Sequence, residues 1–151
     1  MNVTENHITA LYKLLRHSGL RFRQAISLKQ SDFDLNKKII ENSNMKFNKT
    51  YRFTIYPEDV SFFKIWFKTF KGELFPFTPI TLILHMRKFG GSHALRKELA
   101  DSYNKLGLEY DLLCLKLGLH IEDPDHELDM AKMFKQLQKW ELQKFTEVME
   151  N

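Results

Sequence analysis

Apolar residues near the start of the chain recur with the period of a helix. The recurring residues are Ile8, Leu11, Leu14 and Leu15. This spacing predicts a helix over 8–17, with Thr4 or Asn6 as its N-cap and Gly19 as its C-terminal stop. A second helix is predicted over 22–28.

The segment that follows has the two-residue period of β-strands. Tyr51, Phe53 and Ile55 alternate with the residues between them, which predicts a strand with one buried face. A shorter strand is predicted over 38–41. The Asn-rich stretch 42–48 is predicted to form hairpin turns between these strands.

Helical patterns return after residue 56. A helix is predicted to begin at Pro57 and end at Gly72, and its buried stripe comprises Val60, Phe63, Trp66, Phe67 and Phe70. Further helices are predicted over 80–88, 93–106, 109–117 and 125–150. The order of helices, a small antiparallel sheet and further helices predicts an α+β fold. We expect one mostly helical domain over residues 1–151, in which 125–150 form a C-terminal amphipathic helix.

Composition narrows the class of protein. The chain has 151 residues, 43% of them hydrophobic and 13% aromatic, so it can bury a core and is not a disordered segment. Its single cysteine, Cys114, allows no disulfide within the chain and favours a reducing compartment. The apolar runs are short and the N-terminus is polar, so we expect no membrane association and a cytoplasmic location, with the nucleoid as the site in a prokaryote.

Charge is unevenly distributed along the chain. Residues 1–121 hold 19 basic against 11 acidic residues, whereas residues 122–151 hold 4 against 8. A basic body attracts polyanions, of which nucleic acid is the commonest inside cells. The alternative is that the lysines are ordinary solubilising surface residues. Only six of the 23 basic residues are arginines, the side chains suited to holding a phosphate with two hydrogen bonds.

Two segments carry arginines and a histidine of possible functional interest, and His93 in the second segment comes 72 positions after Arg21 in the first. The first reads LLRHSGLRFRQAISL over 14–28 and is followed by SDFD, and the second reads SHALR over 92–96. Gly107 and the Leu-Gly-Leu over 117–119 come later. In sequence and spacing these segments resemble the conserved boxes of the tyrosine recombinases, the family of phage integrases and Xer-type enzymes. The resemblance covers nearly the whole chain and implies the fold of the catalytic domain of that family.

The resemblance also implies roles for individual residues. In DNA strand transfer without a metal, negative charge builds on the oxygens of a phosphodiester, and fixed cations must stabilise it. Arg21 and Arg96 would clamp that phosphate, and His93 would donate to it or move a proton. Lys46 fits the position of the general acid of the family best, and Lys49 fits second best. No cofactor or metal is implied.

The chain departs from the family pattern at several positions. Leu119 stands where the family has a histidine or tryptophan, although His120 is adjacent. The nucleophilic tyrosine would fall on Leu128, and no tyrosine follows Tyr110. Gln24 replaces a glutamate that supports the first arginine, which predicts weaker orientation of Arg21.

Three functions remain open at this point. The first is a DNA-binding protein with a degenerate catalytic site, accessory or regulatory in DNA recombination or integration, in a mobile or plasmid element. The second is an active recombinase or integrase fragment that takes a tyrosine from another subunit or from sequence outside this chain. The third is a protein-interaction module without a nucleic-acid role. The residues expected to contact double-stranded DNA are Arg21, Arg23, Lys46, Lys49, Arg52, Arg96 and His120.

Two features of the chain allow more than one interpretation, and two tyrosines carry a further prediction. Only about a dozen residues precede the first box, whereas family members carry a helical domain there that closes around the DNA duplex together with the catalytic domain. The chain is therefore expected to be either a complete protein that lacks one half of this DNA clamp, or a fragment. The C-terminal helix is expected either to dock on another copy or a partner recombinase, or to fold back on its own core. Tyr103 and Tyr110 are predicted to be packed side chains of amphipathic helices.

Overall fold

The computed structural model describes the backbone over 2–44, 49–118 and 126–150, and the side chains over 2–42, 51–118 and 130–146. The helices of this part of the chain are α1 (Glu5–Lys13), α2 (Phe22–Ile26), α3 (Pro57–Phe67), α4 (Pro79–Met86), α5 (Ser92–Lys105), α6 (Tyr110–Leu117) and α7 (His126–Glu150). The strands are β1 (Phe33–Asp34), β2 (Ile39–Asn44) and β3 (Lys49–Thr54). The predicted α+β fold, mostly helical with a small antiparallel sheet, is confirmed.

The first predicted helix is two elements. Thr4 caps α1, because its Oγ1 accepts a hydrogen bond from the His7 backbone N–H at 3.4 Å and its own N–H donates to His7 Nδ1 at 3.0 Å. After α1 the chain widens into a π-helical turn, Leu14–Ser18, that ends at Gly19 with φ +80°. Thr4 and Gly19 therefore delimit this helical segment, as predicted, although it begins at Glu5 rather than Ile8.

The sheet has the strand order β1-β2-β3, and both pairs are antiparallel. The sequence did not predict β1, whose two residues lie in the stretch that resembles an acidic turn. Pairing of β2 with β3 runs from Ile39 opposite Thr54 to Asn44 opposite Lys49. The predicted turn is wrong over 42–44, because those residues continue the ladder, and its remainder, 45–48, lies outside the described residues.

Over residues 53–56, at and just after the end of β3, successive side chains are all buried, whereas the two-residue period predicts one buried face. Phe53 and Ile55 are buried, as predicted, but Thr54 and Tyr56 are buried too. The prediction that these alternate positions face solvent is wrong: α7 packs against β3, and its Phe145 stacks on Tyr56. The covering helix follows more than 70 residues later, so no local pattern indicates it.

The aromatic stripe of α3 forms part of the core. Phe63 and Trp66 are buried, whereas the helix ends at Phe67 instead of continuing to Gly72. Phe70 lies beyond the helix but its ring still contacts Trp66 edge to face, with centroids 5.0 Å apart. The stripe is therefore a core cluster, as the pattern indicates, on a shorter helix.

Two hydrophobic clusters form the core. The larger one joins α1, the π-helical turn, α3, α4 and the sheet, and the smaller one joins α5, α6 and α7. Helix α7 contributes Phe134 and Leu137, both buried, and Phe145 stacks on Tyr56 with ring centroids 3.9 Å apart. Helix α7 therefore packs on its own chain. Among the described helices, none has the length and apolar content needed to cross a bilayer.

Candidate anion-binding site

Arg21 lies where the chain enters α2. It follows Gly19 and the buried Leu20, and it is the N-cap residue of α2 with an exposed side chain. Gln24 Oε1 accepts a hydrogen bond from the Arg21 backbone N–H at 3.0 Å. Gln24 thus fixes the backbone that carries Arg21, whereas the sequence comparison with the family predicts only a loss of support there.

Arg96 lies in the second turn of α5 and reaches across to the end of α6. Its Nη2 donates to the Leu117 carbonyl oxygen at 2.5 Å, so the guanidinium satisfies one of the carbonyls that a helix C-terminus leaves free. The Arg96 Nε is buried and has no hydrogen-bond partner among the described residues. His93 lies three residues earlier on α5, on the same face of the helix, and its side chain is exposed.

The two arginines lie close enough to affect one another. Burial lowers the pKa of Arg96, and the positive charge of Arg21 lowers it further. Within the described residues, neither guanidinium forms an ion pair with a carboxylate. Two neighbouring cations without a counter-charge repel each other, and an anion between them relieves the repulsion. We call Arg21 and Arg96 together the two-arginine site.

Tight packing around Gly19 holds the elements of this site together. A Cβ placed on Gly19 would lie 3.1 Å from Leu99 Cδ2 and 3.2 Å from Lys116 Cε. The turn before Arg21 therefore contacts α5 and α6 directly, and the π-helical turn packs along α5. Arg21 and Arg96, 75 positions apart in the sequence, are thus carried by elements that pack directly against one another around Gly19.

Solved structures with the same arrangement of elements are DNA recombinases. The XerA recombinase aligns with a TM-score of 0.64 at 19% identity, covering 90% of this chain and 64% of that one. The integrase from mycobacterium phage Brujita aligns with a TM-score of 0.66 at 15% identity, covering 90% and 53%. The Tn1549 transposon integrase, in complex with transposon right end DNA, aligns with a TM-score of 0.60 at 16% identity, covering 86% and 55%.

The chain has a tyrosine recombinase-like fold. It spans 53–64% of the length of these three structures. No protein-family model and no curated protein sequence matches it. At these identities the likeness establishes the recombinase-like fold and no more.

The remaining predicted DNA contacts are spread over the recombinase-like fold. Arg23 is exposed on α2. Arg52 is exposed on β3, where its Nε lies 3.0 Å from Glu41 Oε1 in a surface ion pair. Lys49 belongs to β3 by its backbone, and its side chain lies outside the described residues, as do Lys46 and His120 altogether.

The last two tyrosines of the chain, Tyr103 and Tyr110, precede the Leu-Gly-Leu over 117–119. Tyr103 is fully buried, and its hydroxyl donates to Glu141. Tyr110 is 74% exposed, so the prediction that it is a packed side chain is wrong. It is the first residue of α6 and lies about 10 Å along the helix axis from Leu117, which contacts Arg96.

Sequence reasoning missed a cluster of charged groups at the start of α3. The buried Asp59 carboxylate contacts Lys13 Nζ at 2.6 Å through one oxygen and His17 Nδ1 at 2.7 Å through the other. Potential metal-ligand atoms of His17, Glu58 and Asp59 lie within 4.8 Å of one another. The Lys13 ammonium already neutralises Asp59, so the cluster ties α1 and the π-helical turn to α3.

A second cluster, made of buried polar side chains from α5, α6 and α7, was also not predicted from the sequence. Lys116 Nζ lies 2.7 Å from Glu141 Oε2, and Tyr103 hydrogen-bonds to the same oxygen. The hydroxyls of Tyr103 and Tyr56 lie 2.7 Å apart. Burial and the nearby Glu141 charge raise the pKa of both tyrosines. A signal exists in hindsight, since Lys116 and Glu141 occupy positions flanked by apolar residues, but nothing in the sequence pairs them.

Proposed function

We propose that this chain binds the phosphate backbone of double-stranded DNA through the two-arginine site, as an accessory or regulatory protein of DNA recombination or integration. The observation that carries the proposal is that the last turn of α6 packs against Gly19, two residues before Arg21, and accepts a hydrogen bond from Arg96, which brings both arginines to the same end of α6. A buried, unpartnered N–H on Arg96 adds a donor that an anion would satisfy. Both residues occupy the arginine positions in the boxes that resemble the recombinase family.

The electrostatic field at the N-terminus of α5 supports the same proposal. His93 and Arg96 lie within its first two turns, where the helix dipole is positive and favours a bound anion. Residues 1–121 also carry an excess of basic side chains, which draws DNA to the body of the molecule. Arg23 and Arg52 would add phosphate contacts that position DNA without selecting a sequence, Arg52 from its place beside Glu41.

The proposal includes loss of strand cleavage in this chain. Leu128 occupies the expected nucleophile position, Tyr103 is buried, and Tyr110 lies at the opposite end of α6 from the Arg96 contact. The retained Arg21, Lys46, His93 and Arg96 favour the second candidate, an enzyme that receives a tyrosine from another subunit or from sequence outside this chain.

DNA binding is tested by titrating a labelled duplex with the protein at several salt concentrations. We expect the logarithm of the affinity to fall linearly with the logarithm of salt concentration, because phosphate contacts release counterions. Arg21→Ala and Arg96→Ala should each weaken binding by about 1–3 kcal/mol. Lys105→Ala, at the other end of α5, is the control for loss of one surface charge. No binding at 50 mM salt would instead leave the protein-interaction module.

Cleavage is tested with a nicked duplex that traps a covalent phosphotyrosine. We expect no covalent adduct from the chain alone. An adduct formed by the chain alone would contradict the degenerate assignment. An adduct formed only when the chain is mixed with a recombinase that keeps its tyrosine but has its own phosphate-binding arginines replaced would establish the second candidate.

A further inference from the structure

Lys116 and Glu141 form an ion pair that is removed from solvent. Lys116 Nζ lies 2.7 Å from Glu141 Oε2, and the two side chains are 1% and 0% exposed. Desolvating two charges costs free energy, and a hydrophobic pair in the same place often gives equal or greater stability. The ion pair therefore suggests a role other than stability alone.

The stem of Lys116 runs past the turn that leads to Arg21. A Cβ on Gly19 would lie 3.2 Å from Lys116 Cε and 3.3 Å from the Lys116 carbonyl oxygen. Gly19 comes two residues before Arg21, with the fully buried Leu20 between them. The lysine thus forms one wall of the turn that sets the position of Arg21.

The next residue along the chain contacts the other arginine. The Leu117 carbonyl oxygen accepts the hydrogen bond from Arg96 Nη2 at 2.5 Å. Because Lys116 and Leu117 are adjacent in the last turn of α6, a displacement of that turn changes the surroundings of both arginines together.

We propose that Glu141 is a positioning residue for the two-arginine site and acts through Lys116. The proposal deepens the proposed function and rests on it for the phosphate role of that site. From α7, Glu141 holds the Lys116 ammonium. The anchored lysine keeps the last turn of α6 against Gly19 and beside Arg96. Docking of α7 and the geometry of the anion site are thereby coupled through contiguous packed groups.

The sign of an affinity change tests this coupling. Glu141→Gln removes the buried charge with little change of shape, and Glu109→Gln removes an exposed carboxylate just before α6. Both variants gain the same net positive charge, which by itself tightens DNA binding. If Glu141 positions the arginines, Glu141→Gln binds duplex about three- to tenfold more weakly than wild type, and Glu109→Gln does not. Equal or tighter binding by folded Glu141→Gln overturns the proposal.

The second measurement requires no DNA. The Arg96 Nε–H is buried, so it should give a protected side-chain signal in a ¹⁵N–¹H correlation spectrum. We expect that signal to move in Glu141→Gln and to stay in place in Glu109→Gln. Tyr103→Phe, which removes a hydrogen bond from Glu141 and leaves the ion pair, is the control for a loss of stability alone.

The outcomes separate the two proposals. Failure of the wild-type chain to bind duplex would refute the phosphate role, while the Arg96 signal would still decide whether Glu141 positions the site. An Arg96 signal unmoved in Glu141→Gln, or moved equally in Tyr103→Phe, overturns the positioning role. If Glu141→Gln does not fold, Lys116→Met removes the other charge and keeps the apolar stem, and the same shift of the Arg96 signal is expected.

Discussion

At Gly19 the backbone turns with φ +80°, a conformation that residues with a Cβ rarely adopt, while Leu99 and Lys116 close over the position where a Cβ would lie. The glycine of the first segment, Gly19, thus has a physical explanation in this chain. It permits a turn that is both left-handed and closely packed, directly before Leu20 and Arg21. Either constraint alone would favour glycine, and here both apply at one residue.

Substitution of Gly19 should therefore cost more than substitution of a glycine with the same backbone conformation in open space. Gly19→Ala is expected to lower the free energy of unfolding by about 2–4 kcal/mol, from the left-handed backbone and the overpacking together. Gly107, at φ +88°, has no described atom within 4 Å of its added Cβ, so Gly107→Ala should lose only about 1–2 kcal/mol. Urea denaturation of both variants measures the difference, and equal losses would show that packing at Gly19 has no effect.

Among the elements, α6 combines short length with many connections. It has eight residues, and its C-terminal turn contacts Gly19, Arg96 and, through Lys116, helix α7. The carboxylate of Glu141 also ties α7 to α5 through Tyr103, and the Tyr103 hydroxyl continues to Tyr56. An ion pair and hydrogen bonds between buried side chains thus connect α5, α6 and α7 to Tyr56, the residue before α3.

The two buried tyrosines predict how this junction responds to alkaline pH. Their pKa values lie above the ordinary value of 10.0, mainly because burial disfavours the phenolate. In the unfolded chain both hydroxyls lose a proton above pH 10, while in the fold they keep it. The unfolded state therefore binds fewer protons, and stability, fully present below pH 10, falls as pH rises further.

The decrease should be about 1.4 kcal/mol per pH unit for each tyrosine above pH 10. Urea denaturation at pH 9, 10 and 11 measures it in the wild type. The Tyr56→Phe/Tyr103→Phe chain is the control, because every other titrating group remains, and its stability should fall less steeply over the same interval. Parallel curves for the two chains would contradict the prediction.

Local patterns predicted most of the helices and the paired strands β2 and β3, whereas the contacts between distant elements were not predictable from them. The α5 and α6 boundaries, the Thr4 cap and the Gly19 stop follow from periodicity and capping chemistry. The burial of Tyr56 does not, because Phe145 of α7 stacks on it from the far end of the chain. The two arginines were selected by resemblance to a family. The backbone carbonyl that Arg96 contacts cannot be identified from the sequence, and nothing in the sequence pairs Lys116 with Glu141.

At the scale of the whole molecule, the two hydrophobic clusters are joined by polar as well as apolar contacts. His17, in the π-helical turn, stacks on Tyr56 of the smaller cluster with ring centroids 4.7 Å apart. The same imidazole contacts Asp59, which Lys13 also holds. Separating the clusters would break the stack and expose the buried Tyr56. We therefore infer that the clusters unfold together.

The two tryptophans allow a direct test, since Trp66 lies in the larger cluster and Trp140 in the smaller one. Trp140→Phe leaves Trp66 as the fluorescent reporter, and Trp66→Phe leaves Trp140. In each variant we expect the urea midpoint from tryptophan fluorescence to equal the midpoint from far-ultraviolet circular dichroism, as a cooperative two-state transition requires. If instead the fluorescence of Trp140 in Trp66→Phe changes at a lower urea concentration than the circular dichroism of the same variant, the α5–α7 cluster opens separately. Coupling of α7 to the two-arginine site would then act through a locally unfolding unit rather than through the rigid fold.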